Sequence, residues 1–327
     1  MFTLEENREV GQELRAVVVD TLRELMIENE KIIALEADLG SASGWTSLQK
    51  ENSKKFINVG ISEANMVGVA AGLSLTDYIP FIHTFGPFAT RRAFDQMFIS
   101  GGYSGNTINV FGSDPGFAAG PNGGTHTTWE DMALMRTIPN SVVCDAADEV
   151  QMEWIIREFS KIKGIHYVRG NRKAVHKIYK EDSTFELGKG NILQEGSDIL
   201  LVAAGQLVFE ALEVAKELTK HGYSVGVIDM FTIKPLDKEL LLEQVVEKKL
   251  VVTIENHSIT GGLGSAVAET LAESDLHVKL KRIGVDERFG QVGSPDFLQE
   301  EFGLTTEKIF ERLQFNLNQL KTEQLTR

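Results

Sequence analysis

Short apolar runs alternate with amphipathic helical stretches along this chain in two successive blocks, and that alternation is what most limits its fold. In the first block, "KIIALEADLG", "FINVGI", "YIPFIHTF", "TINVFGS", "SVVCD" and "IHYVRG" read as strands. Helix-period stretches lie between them, beginning with Leu14, Val17, Val18, Leu22 and Leu25. The second block repeats the plan with "DILLVAAG", "SVGVIDM", "KLVVTIEN" and "VKLKRIGV". Apolar strands joined by helices call for mostly parallel sheets covered on both faces, with right-handed crossovers. The expected fold class is therefore α/β, with two doubly wound domains. A polar, charged and Gly-containing stretch separates the blocks. The expected domains are residues 1–175 and 196–327, with a linker over 176–195.

Composition narrows the partners. A net charge of −14 argues against nucleic acid and anionic membranes, which select basic patches. No apolar run approaches the length of a membrane span, and "MFTLEENREVGQELR" lacks the blocks of a signal peptide, so the expected location is cytoplasmic. The single cysteine, Cys144, lies in an apolar strand pattern and reads as core. No paired His or Cys spacing suggests a metal cage, so no metal ligand is assigned to the chain.

Ligands of open α/β sheets bind beyond the carboxyl ends of strands. Asp38, Glu63, His83, Phe85, Ser113, Asp114 and Arg169 all fall at or just after such ends. Glu63 is the least expected, a lone carboxylate within "NVGISEANMVGVAAGLS". From position alone it serves equally as a first-turn carboxylate after an Ser62 N-cap or as a functional acid. The longest irregular segment, "GSDPGFAAGPNGGTHTTWED", carries Asn122 and His126 among five glycines, and long loops in compact domains are usually functional. Phe85 and Phe88 stand at i and i+3, a spacing that serves core packing or a flat ligand. "TGGLGSAVAE" resembles a dinucleotide loop but has Val267 where a third glycine is wanted.

As an ordered set, "EADLG", "NVGISEANMVGVAAGLS", "HTFGPF", "GGTHTTWEDMALMRTIPN" and "YVRGN" resemble the pyrimidine-binding and C-terminal domains of the transketolase family. The resemblance covers nearly the whole chain. It implies thiamin diphosphate as cofactor, with Glu63 activating it through the aminopyrimidine N1′ nitrogen. It also implies Asp38, Ile61, Phe85, Phe88 and Arg91 around the pyrimidine. Ser113, Asn122, His126 and Arg169 would then face the substrate, with His126 also near the exocyclic nitrogen. The implied reaction moves a two-carbon ketol unit from a ketose phosphate to an aldose phosphate; the cofactor supplies the electron sink and the protein supplies orientation and proton transfer.

Three departures qualify this. No "GDG" motif occurs, so the diphosphate with its Mg²⁺ or Ca²⁺ is expected to be held by an N-terminal partner subunit, in an α2β2 assembly inactive without it. Ser113 and Asn122 replace a usual His and Asp, which turns the expectation from standard pentose phosphates toward a modified or non-classical sugar phosphate, or a sugar carrying another anion. Arg91 replaces a usual Tyr. Two other readings share the motifs: the β subunit of a 2-oxo acid dehydrogenase E1 component, and a noncatalytic subunit retaining the fold.

Overall fold

The computed structural model describes residues 1–325. The strands in chain order are β1 (Val10–Glu13), β2 (Ile32–Glu36), β3 (Phe56–Asn58), β4 (Ile79–Phe85), β5 (Ile108–Ser113), β6 (Val142–Asp145) and β7 (Ile165–Gly170). Then follow β8 (Ala174–His176), β9 (Asn191–Gln194), β10 (Ile199–Ala203), β11 (Val225–Asp229), β12 (Thr232–Lys234), β13 (Leu250–Ser258) and β14 (Lys279–Val285).

The first sheet has the order β12-β6-β7-β5-β4-β2-β3. Its neighbours are parallel except for β12, which runs antiparallel to β6. Largely apolar strands such as Ile32–Glu36 are buried along their whole length because helices cover both faces. On one face, helix Leu14–Glu28 and helix Glu149–Phe159 pack through Leu14, Val18, Leu22, Ile155 and Phe159. On the other, helix Glu63–Ser74 approaches through Met66, Val67, Ala70 and Ala71. The stretch expected as a helix through "RRAFDQMFIS" begins as a short α-turn at Phe94 and widens into a π-helix over Met97–Tyr103.

The second sheet has the order β14-β13-β10-β11-β9, parallel except at the β9 edge. Helix Leu207–Lys220 and the C-terminal helix from Thr306 cover one face. Two details differ from the sequence expectation. Asn191–Gln194, inside the stretch read as a linker, is strand β9. Strand β12, from the second block, hydrogen-bonds to β6 of the first sheet, Thr232 opposite Cys144. The apolar layer runs on between the sheets, joining Val143 and Met132 to Val202 and Ile228. Cys144 is core as expected, its thiol pushed far up by burial.

Candidate active site at the carboxyl edge of the first sheet

Because β2, β3, β4, β5 and β7 are mutually parallel, their carboxyl ends open on one edge, and the candidate residues gather there. Glu63 opens helix Glu63–Ser74 directly after the β3 turn and is 3% exposed. Ser62 stands at the N-cap without a side-chain capping bond. Glu63 is thus a buried acid at a positive helix end, where its charge is favoured but its desolvation is costly. Arg92 Nη1 answers that charge at 2.7 Å from Glu63 Oε1.

Three rings form the wall beside it. Phe85 ends β4 and is nearly buried; Phe88 follows in the short helix Gly86–Ala89, and His126 reaches in from the Gly-rich loop. Ring centroids lie 6.0 Å apart for Phe85 and Phe88, 5.3 Å for Phe85 and His126, and 5.1 Å for Phe88 and His126, all edge to face. The Arg92 guanidinium lies 3.9 Å from the Phe88 ring centroid, a stacked cation over an aromatic face. His126 Nδ1 contacts Thr125 Oγ1 at 2.9 Å. Burial, then the charges of Arg92 and Arg172, hold its pKa below the usual histidine value, so the ring is neutral at neutral pH.

The Gly-rich loop is pinned from the second domain. Gly116 adopts a left-handed φ of 59°, and a Cβ there would meet the Asn256 amide at 2.0 Å. A Cβ on Gly124 would lie 2.5 Å from the Gly290 carbonyl oxygen. Asn256 Nδ2 donates to Pro115 O, and Phe117 N donates to Asn256 Oδ1. The glycines therefore let this loop lie flat against the second domain, which sets where His126 stands.

Several expected site residues are placed otherwise. Of the two adjacent arginines, Arg91 turns away, its Nε 2.9 Å from Glu130 and its Nη2 on Thr127 O; Arg92 takes the place beside Glu63. Neighbouring side chains on a turn point in different directions, so a one-residue choice decides which cation faces the ring wall. Arg169 is fully buried. Its guanidinium lies 3.1 Å from Asp131 and 2.7 Å from Asp145, and it donates to the Asn256 carbonyl at 3.0 Å. As β7 is a central strand, that face meets the interdomain layer, where a charge persists only when paired. Ser113 is 3% exposed and its Oγ is 3.0 Å from His83 Nε2, so it faces inward. His83, buried and beside the Arg172 charge, is held at about 3 and is therefore neutral.

Asp38 is exposed, in the left-handed region at φ 61°, and receives a long contact from Asn58. The buried acid at that strand end is Glu36, which caps the Leu39 amide and whose pKa burial raises. Ile61 is 75% exposed on the turn before Glu63. Asn122 carries a buried Nδ2 without a partner. Arg92, Glu36 and Arg172 were not singled out in the sequence. The doublet "TRRAF" was the available signal for Arg92, but no pattern distinguishes its members. The "TGGLGSAV" loop is closed to a nucleotide phosphate: Glu255 accepts from the Leu263 and Gly264 amides at 2.7 and 2.8 Å and fills that helix end itself.

A buried acid under a wall of rings lies at the carboxyl edge of a doubly wound α/β sheet, the edge beyond which ligands of such sheets bind. The chain belongs to the transketolase family: the family's pyrimidine binding domain matches residues 11–177 and its C-terminal domain matches residues 188–309. It is 42% identical, over 90% of its length and 92% of the relative's, to a 6-deoxy-6-sulfo-D-fructose transketolase subunit, SqwH, of Clostridium sp. (strain MSTE9). It is 39% identical, over 90% and 93%, to a putative transketolase C-terminal section of Methanocaldococcus jannaschii. A solved structure described as a split gene transketolase, inactive beta4 tetramer, superposes with a TM-score of 0.86 at 39% identity, over 94% of this chain and 99% of that one. Among the described residues, no helix is long and apolar enough to cross a membrane.

Proposed function

We propose that this chain is the cofactor-activating subunit of a two-chain transketolase that moves a two-carbon ketol unit from an acidic ketose to an aldose. The observation that carries this reading is the buried Glu63 carboxylate beside the Phe85, Phe88 and His126 rings. The Arg92 guanidinium, a planar N–C–N group, rests on both that carboxylate and the Phe88 face. An aminopyrimidine offers the same flat shape and nitrogen donors, so the residues present fit that half of thiamin diphosphate. When bound, the cofactor supplies the carbon nucleophile and the electron sink.

The chain's own groups then have defined work. Glu63 would meet the N1′ nitrogen through its carboxyl group and so control which tautomer the ring adopts. Phe85 and Phe88 orient the ring and exclude water. His126, neutral, can donate or accept a single hydrogen bond toward the exocyclic nitrogen or a substrate oxygen. The diphosphate and its Mg²⁺ or Ca²⁺ fall to an N-terminal partner subunit carrying a "GDG" motif, in an α2β2 assembly in the cytoplasm. Support for a partner comes from relatives named as a subunit or a section, and from a solved homologue described as inactive as a beta4 tetramer. An acidic ketose other than a standard linear pentose phosphate is supported as donor by the substrates in two relatives' names, 6-deoxy-6-sulfo-D-fructose and apulose 4-phosphate, the second at 32% identity.

The test is calorimetric titration of thiamin diphosphate with Mg²⁺ into this chain, alone and mixed with a "GDG"-bearing subunit, with ketose cleavage followed in the same samples. Tight binding and turnover are expected only in the mixture. Glu63→Gln should keep the assembly and lower cleavage by about 10²- to 10⁴-fold, the range of a lost proton-transfer group. Turnover that depends on a lipoyl acceptor and not on an aldose would move the chain to the E1 class. No cofactor binding in any mixture would leave a fold-retaining noncatalytic subunit.

A further inference from the structure

A cleft of about 380 Å³ lies on the helical face of the first domain, between helix Leu14–Glu28, helix Glu149–Phe159 and the chain after β8. It shares no lining residue with the Glu63 site. Six carboxylates line it, those of Glu5, Asp20, Glu24, Glu149, Glu153 and Glu181, against two cations, Arg157 and Lys177. Arg157 is already engaged, with Glu153 Oε1 at 2.9 Å and with Glu24, and Asp20 pairs with Arg23. Among the described residues Glu5 and Glu181 form no ion pair.

Glu149 distinguishes this cleft from an ordinary acidic patch. It stands in the first turn of its helix and is 7% exposed. Asp148 already caps that helix by accepting from the Gln151 amide, so the fold does not use Glu149 as a cap. Among the described residues Glu149 Oε2 is buried without a hydrogen-bond partner, and Lys177 Nζ stands 3.6 Å from Oε1, beyond hydrogen-bond distance. A Cβ on Gly11 would meet Oε2 at 2.1 Å, so the bare glycine leaves room for the carboxylate. A buried acceptor without a donor is costly, and a donor entering the cleft removes that cost. Trp154 lines the same cleft, its ring set edge to face on Phe185 and Phe231 at 5.6 and 6.1 Å. An indole beside carboxylates favours an organic ammonium. Among the described residues no group of three or more His, Cys, Asp or Glu is placed to hold a metal ion, so these separated acids call for a cation whose charges are equally spread.

We propose that the cleft binds a small linear polyamine, with one ammonium seated on Glu149 in place of Lys177 and the remaining positive charge answered by Glu5 and Glu181. Lys177, 39% exposed, is free to turn toward solvent as the ligand enters. A volume of about 380 Å³ suits such a molecule and is too small for a folded partner. The site is independent of ketol transfer and stands whether or not that reading does.

The test is calorimetric titration of spermidine, 1,4-diaminobutane, butylamine and Mg²⁺ into the full chain at fixed ionic strength, with tryptophan emission followed in parallel. Spermidine is expected to bind once per chain, more tightly than the diamine, and the diamine more tightly than butylamine. Glu149→Gln should weaken spermidine by about 10- to 100-fold, as for a lost charge-assisted hydrogen bond. Lys177→Met removes the resident cation and should tighten it. Glu181→Gln, at the exposed rim, should weaken it by about 2- to 5-fold. Trp154→Phe should abolish the emission change while binding persists. Equal spermidine affinity in wild type and Glu149→Gln overturns the proposal. So does Mg²⁺ binding as tightly as spermidine, which would read only the screening of surface charge. Should Glu149→Gln fail to fold, the two surface variants decide, and unchanged affinity in both Lys177→Met and Glu181→Gln overturns the proposal.

Discussion

Glu63 and Arg92 are an ion pair buried unequally, the acid 3% and the base 46% exposed. Solvent screens the arginine side, so the pair itself is worth little, about 1 kcal/mol or less. The larger effect is what removal of the cation leaves: a desolvated carboxylate with no counterion. Arg92→Met should therefore lower the thermal stability of the isolated chain, and the loss should vanish in a Glu63→Gln background. Denaturant unfolding of the four proteins of that cycle checks it, and additive effects would refute the coupling. Arg169 sits at the other limit. Fully enclosed with Asp131 and Asp145, it should cost about 3–5 kcal/mol when replaced by methionine, for the two acids then share no cation. At this scale the sequence told which residue types would collect at the strand ends, because strand ends follow from apolar runs. It did not tell which of Arg91 and Arg92 faces the opening, nor that Arg169 turns inward. That depends on side-chain direction at a turn and on acids brought from distant segments, such as Asp131.

Among the elements, helix Leu263–Ala272 shows how a motif that suggests a ligand site can be a self-capped helix. Glu255, from β13, accepts from the first free amides of that helix, and its carboxyl is pushed up to about 7 by burial. Glu255→Ala would leave those amides without an acceptor inside the fold, an expected loss of about 1–3 kcal/mol measurable by chemical denaturation. The Gly-rich loop offers a second check. Gly124→Ala would force a Cβ onto the Gly290 carbonyl, so the loop must lift off the second domain and carry His126 with it. The expected result is a modest stability loss, about 1–3 kcal/mol, together with a raised KM for the ketose; a variant with unchanged KM would deny the loop its positioning role. Alternating strands and helices were readable because burial on both faces leaves a continuous apolar signal. The short edge strand β9 and the two-domain strand β12 were not, since three or four residues carry no period and their pairing is set by tertiary contact.

For the molecule as a whole, buried acids give stability a definite pH dependence. Asp229 accepts from Tyr179 Oη at 2.6 Å and Gln151 Nε2 at 2.7 Å, yet full burial still raises its pKa to about 7. The folded pKa lies above the ordinary carboxylate value, so the native state holds a proton that the unfolded chain releases. The contribution is most favourable below the ordinary carboxylate value, declines as pH rises, and is spent once pH passes about 7. The buried histidines act in the opposite sense on the acid side: His257 is held at about 4, so stability falls as pH drops below the usual histidine value toward 4. A single-site comparison separates the two. Asp229→Asn should gain stability relative to wild type as pH is raised from about 5 to 8, and a pH-independent difference in Tm would reject this account. The pairing of β12 with β6 adds a constraint on how such a chain can be divided. Family domain limits fall at residues 177 and 188, but a piece ending at 177 would bare the β6 edge along Cys144, an unpaired row of amides and carbonyls open to any extended segment. The halves therefore share one folding unit, and a cut that respects the domain names would yield a first fragment prone to aggregate.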